Sequence, residues 1–375
     1  MTPWQHFDAI VIGVGGVGSA AAFHLARRGA KVLGLDRFPP GHDRGSSHGR
    51  SRIIRLAYFE HPDYVPLLLR AYELWAELEH LSEEKLYEET GLLQMGPTDG
   101  IVLPGVLKSA EQHGLDVDLL SSAEIRQRFP GFQVNDAWQG VLERRAGFLH
   151  VERCVHAHWS AAEKLGAKLV TGEMVVDWRA EGNGVVVQTD RNVYSADRLI
   201  LTAGAWAEKL LHDLKLTLEV RRKSQFWFAN DDARYRADRG CPAFLFETSG
   251  EIIYGFPDAH DWGVKVACHT GGEPIVDPLR VDRTLRVSDQ QQLERFLADH
   301  LPGVSHRVIQ HEVCLYTMTP DENFVVDLHP DCPPVCFAAG LSGHGFKFTS
   351  VLGEILADLS LSGRSNLPIG FLARR

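Results

Sequence analysis

Three glycines at positions 13, 15 and 18, followed by Asp36, form the grouping in this chain whose types and spacing could do the most chemistry. In GxGxxG order the first glycine permits a tight turn. The second lets backbone N–H groups approach a pyrophosphate at the positive end of a helix, and the third lets helix and strand pack closely; an acid some 20 residues on takes the ribose hydroxyls. Gly340, Gly343 and Gly345, with Lys347 close behind, make a second permissive turn before a helix N-terminus, suited to negative charge on a ring carbonyl. Between the two turns lies Arg37–Arg55 (RFPPGHDRGSSHGRSRIIR), with five arginines and two histidines in a chain of net charge -10. Composition alone leaves this passage either a solvated basic loop or a site for an anionic substrate. The six cysteines (Cys154, Cys241, Cys268, Cys314, Cys332 and Cys336) contain no CxxC pair. This argues against a disulfide framework or a thiol-rich metal site, and fits a reducing, cytoplasmic setting.

The elements that must position these residues follow from periodicity. FDAIVIG reads as a buried parallel strand, Ala20–Arg28 as a helix, and KVLGLD as the next strand, closing a βαβ unit. Ala9–Ala26 carries no Asp, Glu, Lys or Arg, but four glycines in six residues and Asp8 ahead of it argue against a membrane span or export signal. An amphipathic helix is expected over Tyr64–His80. Short strands follow from Glu88 to His150, with helices at Leu103–His113 and Ala123–Phe129. A helix over Glu152–Gly166 leads into the strands KLVTG, GVVVQTD and NVYSADRLIL, the last two joined by a turn at Asp190–Asn192. From Arg221 to Met318 the chain is strand-rich (QFWFAN, AFLFET, EIIYGF, GVKVACH) with a helix near Asp289–His300. NFVVDLHP and PVCFAAG are then strands, and VLGEILADLSL a helix. A length of 375 residues predicts two domains. The acidic balance excludes nucleic acid and anionic membrane surfaces as partners.

GVGGVG with Asp36, GSSHGRSRIIRLAY, YGFP, KVACHTGG, CLYTMTPDENFVVD and LSGHGFKFTSVLGEI, in that order over nearly the whole chain, resemble the monomeric sarcosine oxidase and N-methyl-L-tryptophan oxidase family. The resemblance implies an α/β and α+β fold. A glutathione-reductase-like Rossmann FAD-binding domain (1–87, 151–215 and 322–375) would interleave with a mixed-sheet substrate domain (88–150 and 216–321). It implies FAD joined through its 8α position to Cys314. Cofactor contacts would come from Gly13, Val14, Gly15, Gly16, Val17, Gly18, Asp36, Arg37, Ser46, Val175, Gly204, Gly343, His344, Gly345 and Lys347, with His48 and Arg52 against the flavin ring. Arg55 and Lys347 would hold the substrate carboxylate. Tyr254 and His269 would face the substrate, Tyr316 would wall the pocket, and Lys265 would stabilise charge as oxygen is reduced. The implied reaction is oxidation of an N-methyl or other secondary amino acid with oxygen as acceptor, by a monomer needing no metal.

The pattern departs from the family at two positions. Ser47–His48 stands where the bacterial members carry paired histidines, and Ile253 where sarcosine oxidase has a second tyrosine. The SSHG form resembles peroxisomal sarcosine and pipecolate oxidases, although no SKL-type ending follows Arg375. Pipecolate or another cyclic amine therefore stays open as substrate. A nicotinamide-dependent dehydrogenase or a non-catalytic nucleotide-binding module would use Gly13–Asp36 equally well but leaves Cys314 and SGHGFK without a role.

Overall fold

The structure is a computed structural model that describes residues 4–375. The first strand, Gln5–Ile12, is central to an eight-stranded sheet, paired in parallel with Val193–Leu201 on one side and Val32–Leu35 on the other. Its side chains alternate between two cores. Ala9 and Val11 pack into one with the helices Gly16–Arg27, Val65–Ser82, Val151–Lys164 and Thr349–Ser362, while Ile10 and Ile12 pack into another with Leu210 and Leu214. Burial on both faces is why Ala9–Ile12 is continuously apolar, while Gln5, His6 and Asp8 at the exposed start are polar. Val335–Ala339 extends the parallel part, and Val175–Glu181 and Gly184–Thr189 add an antiparallel flank.

A nine-stranded sheet, nearly all antiparallel, holds Leu92–Pro97, Asp118–Ser121, Trp138–Glu143, Glu219–Phe228, Ala243–Thr248, Glu251–Phe256, Val264–Cys268, Glu273–Pro274 and Val308–Met318. The third sheet is small: Ser51–Ile54 and Tyr87–Glu88 flank Gly147–His150. The domain boundary expected at 87/88 falls inside one of its strands.

Most expected elements are present within a few residues, and the differences have physical causes. The first helix begins at Gly16 rather than Ala20, because the glycines of the motif are themselves its first turn. Val175–Glu181 is a further strand that the sequence reading lacks; it is a largely exposed edge carrying Asp177, Arg179 and Glu181. Val308–Met318 was also not expected, since its first half (Val308–Glu312) is only partly buried and carries Gln310, His311 and Glu312. The arginine passage divides: Arg37 and Arg44 are exposed on an irregular segment, whereas Ser51–Ile54 is a strand and Arg55 is 3% exposed. Among the described residues no helix is long and apolar enough to cross a membrane.

Candidate active site

Strand, turn and helix converge at the C-terminal end of the parallel sheet on a cavity of about 480 Å³. The helix Gly16–Arg27 begins at the cavity with Gly15 as its N-cap; the Gly16 N–H donates to Ser47 Oγ at 3.1 Å, and the rest of the first turn is open as an anion site. Only glycine fits at position 18: a Cβ there would lie 1.8 Å from the Gly13 carbonyl oxygen. Asp36, at the end of the second strand, accepts from the backbone of Val14 (2.7 Å) and Phe38 (2.9 Å), which fixes its carboxylate on the cavity wall. Across the cavity Gly343 adopts φ +80, and a Cβ there would strike the Tyr316 ring at 2.2 Å. This wall of helix N-terminus, glycine and anchored carboxylate fits an extended dinucleotide such as FAD.

Cys314 lies in the same wall, on the strand Val308–Met318, with Glu312 and Tyr316 on its face by strand alternation. Arg52 brings Nη2 to 3.2 Å from the Cys314 sulfur and is anchored by the carbonyls of Ser46 and Ser51. His48 is 2% exposed and donates its Nδ1–H to Glu312 Oε2 at 2.8 Å. Burial pushes the Cys314 thiol up, but Arg52 and His48 more than offset it and bring it down to about 7. For His48, burial pulls the imidazole down, yet the neighbouring Cys314 and the bonded Glu312 raise it to about 9. A thiol so placed is a nucleophile at neutral pH.

A smaller cavity, about 50 Å³, adjoins the first and shares Arg52, Tyr316, Gly343 and Phe346 with it. Arg55, Glu60, Tyr254, His269, His344 and Lys347 complete its polar lining. Arg55 Nη2 contacts both oxygens of Glu60, at 2.8 and 2.6 Å, while its Nε is buried without a partner. Burial alone would raise the Glu60 carboxyl; Arg55, His344 and Lys347 instead hold it down to about 2. Lys347 donates to the His344 carbonyl at 2.7 Å, and burial together with Arg55 pushes its amine well below the usual lysine range. His269 is held neutral, chiefly by burial, down to about 3. An arginine and a lysine converging on so small a space can grip one carboxylate from two directions.

The expected site residues therefore divide. Gly13, Gly15, Gly16, Val17, Asp36, Arg37, Ser46, Arg52, Val175, Gly204, Gly343 and Gly345 line the large cavity together with Cys314. Arg55, Tyr254, His269, Tyr316, His344 and Lys347 line the small one. Val14, Gly18 and His48 line neither. Lys265 also lines neither: it is 1% exposed, and its amine donates to the carbonyls of Gly49 (2.6 Å) and Ser51 (2.9 Å), tying it to the backbone that carries Arg52. Burial and the Arg52 charge push that amine well below its ordinary value. Sequence reasoning missed Glu60 and Glu312. The two-residue spacing from Glu312 to Cys314 would have shown one of them, had the segment been read as a strand.

A model of the FAD dependent oxidoreductase family matches residues 8–359. Monomeric sarcosine oxidase of Bacillus sp. (strain B-0618) is 40% identical over 373 residues, covering 98% of this chain and 95% of that protein. N-methyl-L-tryptophan oxidase of Salmonella dublin is 37% identical over 365 residues, covering 97% of each. The solved structure of NikD, an amino acid oxidase essential for nikkomycin biosynthesis, superposes with a TM-score of 0.87 at 26% identity, over 99% of this chain and 98% of that one. With its glycine-built dinucleotide cradle, this chain belongs to the FAD dependent oxidoreductase family.

Proposed function

We propose that the protein is an oxidase of small N-methyl amino acids, of the sarcosine type, with FAD in the large cavity attached to Cys314 and the substrate in the small one. The observation that carries this reading is the junction of the two cavities at Arg52 and Tyr316, with the Cys314 sulfur 3.2 Å from that arginine. When bound, FAD supplies the two-electron acceptor for a C–H next to nitrogen and passes the electrons to oxygen, giving hydrogen peroxide and an imine that hydrolyses to the primary amino acid and formaldehyde.

The chain's own residues bind and orient. Arg55 and Lys347 hold the substrate carboxylate, for which the partnerless Nε of Arg55 supplies a free donor. Arg52 and Arg55 outnumber the one ionised carboxylate there, Glu60, and disfavour the substrate's ammonium, so that the amine binds in the neutral form that can be oxidised. Tyr254 and His269 position the amine end. A cavity of about 50 Å³ holds about four water-sized groups at roughly 10–15 Å³ each, which favours the smallest N-methyl amino acid over one that carries an indole side chain. His48 and Arg52 serve the flavin side, and Lys265 the reduction of oxygen. We assign 1–87, 151–215 and 322–375 to the FAD-binding domain and 88–150 and 216–321 to the substrate domain. The protein works as a monomer in the cytoplasm; all six cysteines are free, which fits a reducing compartment.

Acid precipitation of the purified protein tests attachment: the yellow colour should stay with the pellet, and a Cys314 peptide should carry the flavin mass. A colourless pellet would refute it. Lys265→Met should slow reoxidation by oxygen about 100-fold, the size of loss seen when one preorganised charge stabiliser is removed, with reduction by substrate little changed. Equal slowing of both half-reactions would remove Lys265 from that role.

A further inference from the structure

We propose that Glu312 is a positioning residue that acts through His48 to hold Cys314 as a thiolate, forming a carboxylate, imidazole and thiol chain behind the flavin cavity wall. The inference rests on the reading of Cys314 as the attachment residue and goes beyond it by assigning the group that activates the sulfur. Three observations carry it. Glu312 Oε2 is 2.8 Å from His48 Nδ1, and its other oxygen accepts from Gln310 Nε2 at 2.6 Å, so the carboxylate is held in one orientation. With Nδ1 engaged, the remaining nitrogen Nε2 is buried and has no hydrogen-bond partner; the Cys314 sulfur, which takes the Arg52 Nη2 donor and lies 3.6 and 3.7 Å from the carbonyls of Ser46 and Leu315, is close enough to raise the imidazole. A buried, partnerless imidazole nitrogen is costly, and it is the acceptor the thiol proton requires. Glu312 and Cys314 also stand two apart on one strand, hence on one face, with His48 reaching both from a separate segment.

The step is a proton transfer. The Cys314 S–H bond breaks, an N–H bond forms at His48 Nε2, and the resulting imidazolium lies between the thiolate and the Glu312 carboxylate; the total charge of the three groups is unchanged. This is the logic of an activated cysteine with a base oriented by a third group. Other charged or titratable groups act on the same sulfur. Arg52 donates to it directly, Lys265, Lys223 and Arg283 add positive charge, and the buried phenols of Tyr254 and Tyr316 stay protonated. Among the groups nearest the sulfur, Glu312 carries the negative charge that keeps His48 cationic.

The test uses the full-length chain expressed with flavin withheld, so that the sulfur is free. Alkylation of Cys314 by iodoacetamide, followed by mass spectrometry of its peptide, gives a rate against pH with a midpoint expected near 7 in the wild type. Glu312→Gln should move that midpoint up by about one unit and cut the rate at neutral pH about fivefold, the change in thiolate fraction such a shift produces. Glu312→Asp should largely restore it, and in a His48→Asn background Glu312→Gln should add nothing. Non-covalent FAD affinity should be unchanged. A Glu312→Gln profile that superimposes on the wild type overturns the proposal, as does an equal shift with and without His48. Should the flavin-free chain fail to fold, the acid-extractable fraction of flavin in normally expressed protein decides. It should rise in Glu312→Gln and not in Glu312→Asp, and complete attachment in both variants overturns the relay. If the wild type carries no flavin on the Cys314 peptide, the attachment reading fails separately, and the alkylation profile still decides the relay.

Discussion

The two adjoining cavities are built by opposite means. The large one presents much backbone: the start of the helix Gly16–Arg27, glycines at 13, 15, 16, 343 and 345, and the anchored acid Asp36 at the end of the second strand. The small one presents side chains: Arg55, Glu60, Tyr254, His269 and Lys347, nearly all buried and several shifted far from their ordinary titration. A backbone cradle recognises what a whole superfamily shares, a dinucleotide. A cluster of side chains recognises one substrate class, and one replacement can retune it.

If that contrast holds, the two cavities should fail differently. The largest effect is expected from Gly18→Val, whose side chain would collide with the Gly13 carbonyl oxygen; the variant should lose flavin altogether, read as colourless protein with a lowered Tm. A yellow, stable Gly18→Val would contradict the backbone account. Cys314→Ser should be milder for binding: FAD still enters the cradle but is released by acid, and turnover is largely lost. Lys347→Met should leave flavin content at wild-type level while lowering kcat/KM for sarcosine about 30-fold or more, corresponding to roughly 2 kcal/mol for one partner of a buried charge contact. Loss of flavin in Lys347→Met would blur the distinction between the cavities.

The smallest effect concerns the core behind the cradle. His24, on the first helix, and His158 are buried, and chiefly for that reason both are held neutral, down to about 3. The unfolded chain takes up these protons near 6.5 and the folded chain does not, so stability is full above about 6.5 and falls as pH drops toward 3. Each histidine contributes a slope of up to ~1.4 kcal/mol per pH unit in that window. Urea unfolding at pH 7 and pH 5 should show the loss, and His158→Phe should reduce it; identical acid sensitivity in that variant would move the cause elsewhere.

The same contrast explains what the sequence alone could show. Gly13, Gly15, Gly18 and Asp36 were legible because backbone recognition demands glycine at set spacing, and a Cβ at position 18 has nowhere to go. Strands buried on both faces, such as Gln5–Ile12, announced themselves by continuous apolar runs. Arg55, Lys347, Tyr254 and His269 come from distant segments that no local period links, and only the family resemblance drew them together. Glu60 stayed invisible because its partner is made by a turn rather than a spacing rule. Glu312 stayed invisible because the partly buried, polar half of Val308–Met318 masked the strand that puts it on the face of Cys314.

Anaerobic mixing of the purified yellow protein with sarcosine tests the central claim most directly. The two-cavity account predicts that sarcosine bleaches the flavin faster than N-methyl-L-tryptophan does, and that admitting oxygen restores the colour with one hydrogen peroxide and one formaldehyde per turnover. A flavin that stays oxidised in saturating sarcosine would contradict it.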